Sequence, residues 1–307
     1  MYFIGVTTGK SSIMKIFPHW AQCLGLGTPQ QVQLRGIDCK LHDNPDTYRR
    51  IIEHVKRDPL SLGALVTTHK IDLLKACRHM FDRLDEHAEL MHEVSSISKR
   101  DGKLVGRAFD LITSGLALEA FLPRNHWKDT KAHALVLGAG GSSIALTSYL
   151  LGKERGDDVP AKIIVTNRSP GRLDEARQVH QQLGVCVPVE YHHTPRAEDN
   201  DALMATLPPG SLVANATGLG KDAPGSPITN AAVFPRHGYA WDFNYRGELV
   251  FLDQARAQQP SQRLHIEDGW IYFIHGWTRV IAEVFDINIP TAGPAFDKLS
   301  ELAAAAR

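Results

Sequence analysis

Short apolar runs rich in Val, Ile and Leu alternate along the chain with longer stretches in which apolar positions recur every three to four residues. The runs suit strands buried on both faces and the stretches suit covering helices, so the pattern predicts an α/β protein with largely parallel sheets. In the first third, residues 2–6, 32–37 and 62–67 read as strands, and 13–24 and 47–56 as helices. Residues 95–98 and 104–106 flank an Asp101-Gly102 pair and predict a hairpin, a minority antiparallel element. A second series follows, with strands expected at 134–137, 162–166, 187–191, 212–216 and 239–243, and helices at 143–151, the latter amphipathic, and 172–183. That order is expected of a doubly wound, Rossmann-type sheet. The polar, turn-rich stretch 121–131 suits a domain boundary. A strong helix over 270–285 and an Ala-rich tail over 297–306 follow with no further strand expected, and pack back on the first domain. The expected domains are 1–115 plus 268–307, and 116–267.

Composition narrows the function class. The 307 residues carry 34 Lys+Arg against 34 Asp+Glu, so no net field steers the chain toward nucleic acid or an anionic membrane, and neither is expected as a partner. Cys23, Cys39, Cys77 and Cys186 form no C-x-x-C pair and have no zinc-like His spacing, which predicts reduced core cysteines and no metal site. The opening residues lack a secretory pattern and no 18-residue apolar run occurs, so a cytoplasmic protein is expected.

Two segments suggest a dinucleotide. Gly138-Ala139-Gly140-Gly141 follows an apolar run and precedes a helix, where Gly138 permits a tight turn, Gly140 permits close backbone approach to a pyrophosphate, and exposed N–H groups attract its charge. The next strand ends in Asn167-Arg168-Ser169, with Arg172 a turn later, where an NAD site usually has an acid. Guanidinium groups suit a 2′-phosphate by charge and bidentate geometry, so NADP is the expected cofactor. Elsewhere, Lys70 ends the segment Val66-Thr67-Thr68-His69-Lys70, and Asp110 follows the hairpin; in isolation each reads as an ordinary surface lysine and a turn-forming aspartate.

Taken in order, these segments resemble the shikimate dehydrogenase family. Its members have a lysine ending a VT-x-P-x-K segment and an aspartate in N-T-D-G some forty residues on; Lys70 and Asp110 stand at matching positions. The stretch from Gly5 to Ser11 is similar to its serine-rich substrate loop, and Gly138, Gly140 and Gly141 to its cofactor turn. Asn167-Arg168-Ser169 with Arg172 is similar to its N-R-T clamp, Asn215-Ala216-Thr217-Gly218-Leu219-Gly220 to its N-A-T-S-x-G segment, and Asp242-Phe243-Asn244-Tyr245 to the D-x-x-Y that brings a tyrosine over substrate. The resemblance implies a substrate domain, a Rossmann domain and a C-terminal helix returning to the first domain. It implies NADP-dependent hydride transfer at a ring hydroxyl or carbonyl of a cyclic hydroxy carboxylate, within aromatic amino acid biosynthesis, by a monomer or homodimer. Lys70 and Asp110 would be catalytic, Ser11, Thr67, Ser95 and Tyr245 would bind substrate, and Asn215 and Thr217 would join the glycines and the clamp in holding cofactor.

The departures cluster at substrate positions. Ile13 and Met14 replace a serine and a proline of S-x-S-P, Val94-Ser95-Ser96 replaces V-N-T, Phe109 stands before Asp110, the proline before Lys70 is missing, and the last helix has Ile274, His275 and Gly276 near its glutamine position. These changes predict a substrate bulkier or less polar than shikimate, because lost donors weaken recognition of hydroxyls. A lysine is an ammonium at neutral pH, which favours Lys70 as proton donor in the reduction direction, with Asp110 orienting it or relaying the proton. His69 and His275 are alternative acid–base groups. An NAD-dependent quinate-type dehydrogenase and a non-catalytic NADP-binding sensor are the alternative readings.

Overall fold

The computed structural model describes residues 1–184 and 187–306 and divides by contacts into two compact units. Unit 1 holds Met1–Phe109 and the chain from Ile274 onward; unit 2 holds Asp110–Phe273.

Unit 1 is built on a mixed six-stranded sheet of order β2-β1-β3-β5-β6-β4, comprising β1 (Tyr2–Gly5), β2 (Arg35–Asp38), β3 (Gly63–Val66), β4 (Arg83–Leu84), β5 (Ser96–Arg100) and β6 (Lys103–Arg107). Strands β2, β1 and β3 run parallel, whereas β5 is antiparallel to both β3 and β6. All four residues of β1 and of β3 are buried, as their continuous apolar runs require. Helices α1 (Ile13–Cys23), α2 (Pro45–Arg57), α3 (Lys70–Cys77) and α4 (Glu86–Met91) complete this part. In α2 the Asn44 side chain accepts the Asp46 N–H at 2.9 Å with Pro45 in the first turn, and Tyr48, Ile52 and Val55 face the core.

Unit 2 opens with α5 (Asp110–Glu119) and α6 (His126–Thr130), followed by β7 (His133–Leu137), α7 (Gly141–Leu150), β8 (Lys162–Asn167), α8 (Pro170–Leu183), β9 (Val189–His193), α9 (Ala197–Met204), β10 (Leu212–Asn215), β11 (Tyr239–Asp242), α10 (Val250–Gln262) and β12 (His265–Glu267). The sheet order is β12-β11-β10-β7-β8-β9, parallel throughout, which is the doubly wound order with its switch point between β7 and β10. Leu135, Leu137, Ile164, Val213, Phe234 and Phe251 are among its core residues. Helices α11 (Trp270–Phe285) and α12 (Pro294–Ala305) end the chain. From Ile274 on they pack within unit 1: Trp20 Nε1 donates to the Leu299 carbonyl at 2.8 Å, and Ser98 Oγ donates to Glu283 at 2.9 Å.

Several expectations shift. The strand expected at 32–37 begins at Arg35, because β2 is a largely exposed edge strand without a strong apolar signal. The strand expected at 187–191 begins at Val189. α7 is not amphipathic: seven of its ten residues are buried, since α5 packs on the face that would otherwise meet water. A short strand, β12, intervenes before α11, contrary to expectation. The contact divisions fall at 109/110 and 273/274; α5 packs on α7 and so falls within unit 2. The 121–131 stretch is folded into unit 2, with Trp127 of α6 fully buried. Cys39 and Cys77 are buried, Cys23 is exposed rather than in the core, and Cys186 lies outside the described residues. Among the described residues no helix is long and apolar enough to cross a membrane, and no three His, Cys, Asp or Glu side chains gather as metal ligands.

The α5–α7 contact depends on Gly115, where an added Cβ would overlap the Tyr149 ring. In an exposed helix Gly→Ala stabilises by about 1 kcal/mol. Here Gly115→Ala is expected to have the opposite sign, with overpacking costing about 1–3 kcal/mol in urea denaturation. A variant more stable than the parent would show that the helices do not pack this closely.

Candidate functional site

In unit 2 the site begins where β7 and β10 end side by side and the chain leaves them in opposite directions. Ala216 N–H donates to the Leu137 carbonyl at 2.8 Å, and Gly138 N–H to the Thr166 carbonyl at 2.9 Å. Gly138 has φ +103°, and a Cβ there would lie 2.9 Å from the Ala216 oxygen, so no other residue fits without displacing the neighbouring loop. Gly140 caps α7, and a Cβ built on it meets nothing within 4 Å. Open space therefore lies beside the first N–H groups of α7, which have no intrahelical partners and sit at the positive end of the helix dipole. In that first turn the Ser143 hydroxyl is buried without a hydrogen-bond partner.

β8 leads into the expected clamp. Asn167 Nδ2 donates to the Ser169 carbonyl at 3.1 Å, closing the turn into α8 and leaving Arg168 and Ser169 exposed. His193 Nε2, at the end of β9, lies 3.1 Å from the Arg168 carbonyl. Arg168 forms no ion pair among the described residues. Arg172 pairs with Glu175 at 2.7 Å, an exposed contact that costs little to exchange for an anion.

The ends of β10 and β11 are tied by a buried polar network. Asn215 Nδ2 donates to Asp242 Oδ2 at 3.1 Å, while Asn215 Oδ1 accepts the Thr217 N–H at 3.0 Å and its hydroxyl at 2.6 Å. Asn244 N–H donates to Asp242 Oδ1 at 2.8 Å, and Asn244 Nδ2 to the Thr217 and Leu219 carbonyls at 3.0 and 3.3 Å. Burial pushes the Asp242 carboxyl up to about 6. The side chains of Asn215 and Thr217, expected to hold cofactor, thus also hold the loop itself. Tyr245 follows and packs on Trp270 and Phe273, with ring centroids 5.3 and 4.7 Å away.

In unit 1 the candidate residues lie at the carboxyl ends of the parallel strands. The Ile4 carbonyl accepts both the Thr67 N–H at 3.0 Å and its hydroxyl at 3.3 Å, and Lys70 N–H bonds back to the Thr67 carbonyl at 3.1 Å, which starts α3 at Lys70. Val66 N–H donates to the Ser95 carbonyl at 2.9 Å, and Val94 N–H to the Lys70 carbonyl at 3.3 Å. Thr67, Lys70 and Ser95 are therefore brought together. The loop after β1, which carries half-buried Ser11, is held by Thr8, whose N–H and hydroxyl donate to Asp38 Oδ1 at 2.8 and 2.5 Å. Ser95 is 3% exposed and its hydroxyl accepts the Phe109 N–H at 2.8 Å, so it holds the chain one residue before Asp110. Asp110, expected near a turn, is the buried first residue of α5 in unit 2.

Other expectations change. Ile13, expected where a substrate serine would stand, is fully buried in the first turn of α1 and belongs to the core. His69 is buried with Nδ1 3.1 Å from the Tyr48 hydroxyl, and His275 is buried and stacked on Phe296; burial lowers both, His275 to about 4, which favours the neutral imidazole. The sequence carries no signal for Glu93, a buried acid one residue before the Val94 contact with Lys70 and three ahead of β5. Sequence reasoning also passed over the linking role of Asp242.

No protein-family model matches the chain. It is 31% identical over 180 residues to the shikimate dehydrogenase (NADP(+)) of Streptococcus gordonii, a match covering 58% of each chain, so the aligned part spans less than two thirds of that relative. The quinate dehydrogenase of Corynebacterium glutamicum, solved in complex with NAD, superposes with a TM-score of 0.74 at 18% identity, over 99% of this chain and 98% of that one. The shikimate 5-dehydrogenase of Thermus thermophilus, solved with NADP(H) and shikimate, gives 0.70 at 22% identity, over 100% of this chain and 98% of that one. The fold is shared across the whole chain.

The two glycines separate structure from binding. Gly138→Ala is expected to destabilise unit 2 by about 1–3 kcal/mol through its positive φ and close contact. Gly140→Ala, in open space, should leave the melting temperature within a degree or two while weakening dinucleotide affinity at least about tenfold. Fluorescence titration checks this, and parent-like affinity in Gly140→Ala would remove the glycine turn from the binding site.

Proposed function

We propose that this chain belongs to the shikimate dehydrogenase family and transfers hydride between NADP and a ring hydroxyl or carbonyl of shikimate or a related cyclic hydroxy carboxylate. The observation that carries the reading is the switch point: a tight turn at Gly138 that tolerates no Cβ, open room beside the α7 N-terminus, and exposed Arg168 one strand away. These residues fit a dinucleotide. Gly138, Gly140 and Gly141 would admit its pyrophosphate to the helix N-terminus, and Asn167, Arg168, Ser169 and Arg172 would hold the 2′-phosphate, for which guanidinium charge and geometry are suited. When bound, the nicotinamide supplies or accepts the hydride.

The chain's own residues handle the oxygen and its proton. Ser11 and Thr67 of unit 1, and Tyr245 of unit 2, would be the substrate contacts. In reduction, the Lys70 ammonium would protonate the carbonyl oxygen as it gains negative charge, and Asp110 would orient that ammonium or relay the proton. In oxidation the same groups would stabilise the developing alkoxide and take its proton. Ser95 would act by holding the backbone ahead of Asp110. A cytoplasmic location fits this reading.

Cofactor choice tests the first half. NADP is expected to bind at least about tenfold more tightly than NAD, and Arg168→Ala should lose affinity for NADP selectively, because only NADP presents a 2′-phosphate to it. Equal affinities in the parent would overturn the assignment.

Catalysis tests the second half. Lys70→Ala and Asp110→Asn should each lower kcat at least about a hundredfold on the best substrate of a cyclic hydroxy acid panel, with NADP affinity nearly unchanged. A variant retaining more than a tenth of parent turnover would remove that residue from the proton transfer. Tight NADP binding with no turnover across the panel would favour the sensor reading instead.

A further inference from the structure

Asp242 is fully buried at the carboxyl end of β11, and nothing in the proposed proton or hydride transfer uses it. A buried carboxylate is costly unless its lone pairs are met, and here they are met asymmetrically. Oδ2 accepts from the side chain of Asn215, which ends β10, whereas Oδ1 accepts from the backbone of Asn244, two residues further along its own loop. Each partner passes the constraint on. With its amide nitrogen committed to Asp242, Asn215 has its oxygen turned toward the Thr217 N–H and hydroxyl. Asn244, held by its N–H, has its amide nitrogen on the Thr217 and Leu219 carbonyls. The loop so clamped contains Ala216, whose N–H bonds to Leu137 and whose oxygen closes on Gly138. The residue after Asn244 is Tyr245.

We propose that Asp242 is a positioning residue that couples the loop lying against the cofactor turn to the loop carrying Tyr245, so that the two are held as one body. The proposal rests on the hydride-transfer reading above and adds to it a reason why cofactor and substrate contacts in unit 2 stay in register. The Asp242 carboxyl, pushed up to about 6 by burial, is still ionised at neutral pH and can accept on both oxygens.

The donor and acceptor pattern gives a test that loss of folding alone cannot mimic. In Asp242→Asn one amide N–H must face either the Asn215 amide or the Asn244 N–H, so one link breaks whichever way the side chain turns. This variant is expected to raise KM for NADP at least about tenfold and to lower kcat at least about tenfold. Asn215→Asp alone sets two carboxylates against each other and should be impaired similarly. The swap Asn215→Asp with Asp242→Asn reverses the single side-chain bond and keeps the others: Asp at 215 still accepts from Thr217, and Asn at 242 still accepts from Asn244. It should recover at least about threefold in both constants over either single variant.

A swap variant that folds but stays as impaired as the single variants would overturn the proposal, as would an Asp242→Asn effect confined to KM or to kcat. If Asp242→Asn does not fold, the swap alone decides by the same criterion, and a swap that also fails to fold overturns the proposal. Trp270 emission during NADP titration, with Trp270→Phe as the blank, supplies a readout independent of turnover. A response present in the parent, lost in the single variants and restored in the swap supports the coupling. A parent that shows this response without turnover overturns the hydride-transfer reading and leaves the coupling standing.

Discussion

The architecture of unit 2 turns on one backbone approach, that of Gly138 to the oxygen of Ala216. Two parallel strands that end level with one another must send their chains apart, and the space released is the site. Gly138, at φ +103°, lets β7 turn sharply enough to start α7 at Gly141, while Ala216 keeps a hydrogen bond to Leu137 and leaves in the other direction. A side chain at 138 would push these loops apart. The helix N-terminus, the clamp at the end of β8 and the Asp242 network are arranged around that fixed point.

Unit 1 solves a similar problem with a single acceptor. The Ile4 carbonyl takes both the N–H and the hydroxyl of Thr67, and this pins the end of β3 and starts α3 at Lys70. Ser95 meets β3 from the antiparallel side, and its hydroxyl holds Phe109. Groups that the sequence reading treats as ligand contacts are therefore partly scaffold: the Ser95 hydroxyl and the Asn215 amide are both engaged inside the protein. Ile13 shows the complementary case. It stands where a polar contact is expected from the resemblance, yet it is fully buried, so a serine there would exchange core packing for an unsatisfied hydroxyl.

Much of this was legible from pattern alone. The strands at 134–137 and 162–166, the hairpin, and helices α1, α2 and α11 carry strong periodicity or unbroken apolar runs and appear within a few residues of expectation. The elements passed over have weak signals. α5 contains Gly115 and β-branched residues, and α10 contains Pro260 and few apolar positions; tertiary contacts override their low local preference.

The fold class, the position of the glycine turn and the basic end of β8 can be read from residue type and spacing along single stretches of chain, whereas the pairing of Lys70 with Asp110 comes only from the family resemblance. Which polar groups are already engaged, that Asp110 opens a buried helix, and that Asp242 joins two loops become visible once the chain is packed. Those facts depend on atoms 27 residues apart in the Asn215–Asp242 bond and 14 apart in the Ser95–Phe109 bond. Local pattern carries no record of which distant donor reaches which acceptor; only the packed chain selects it.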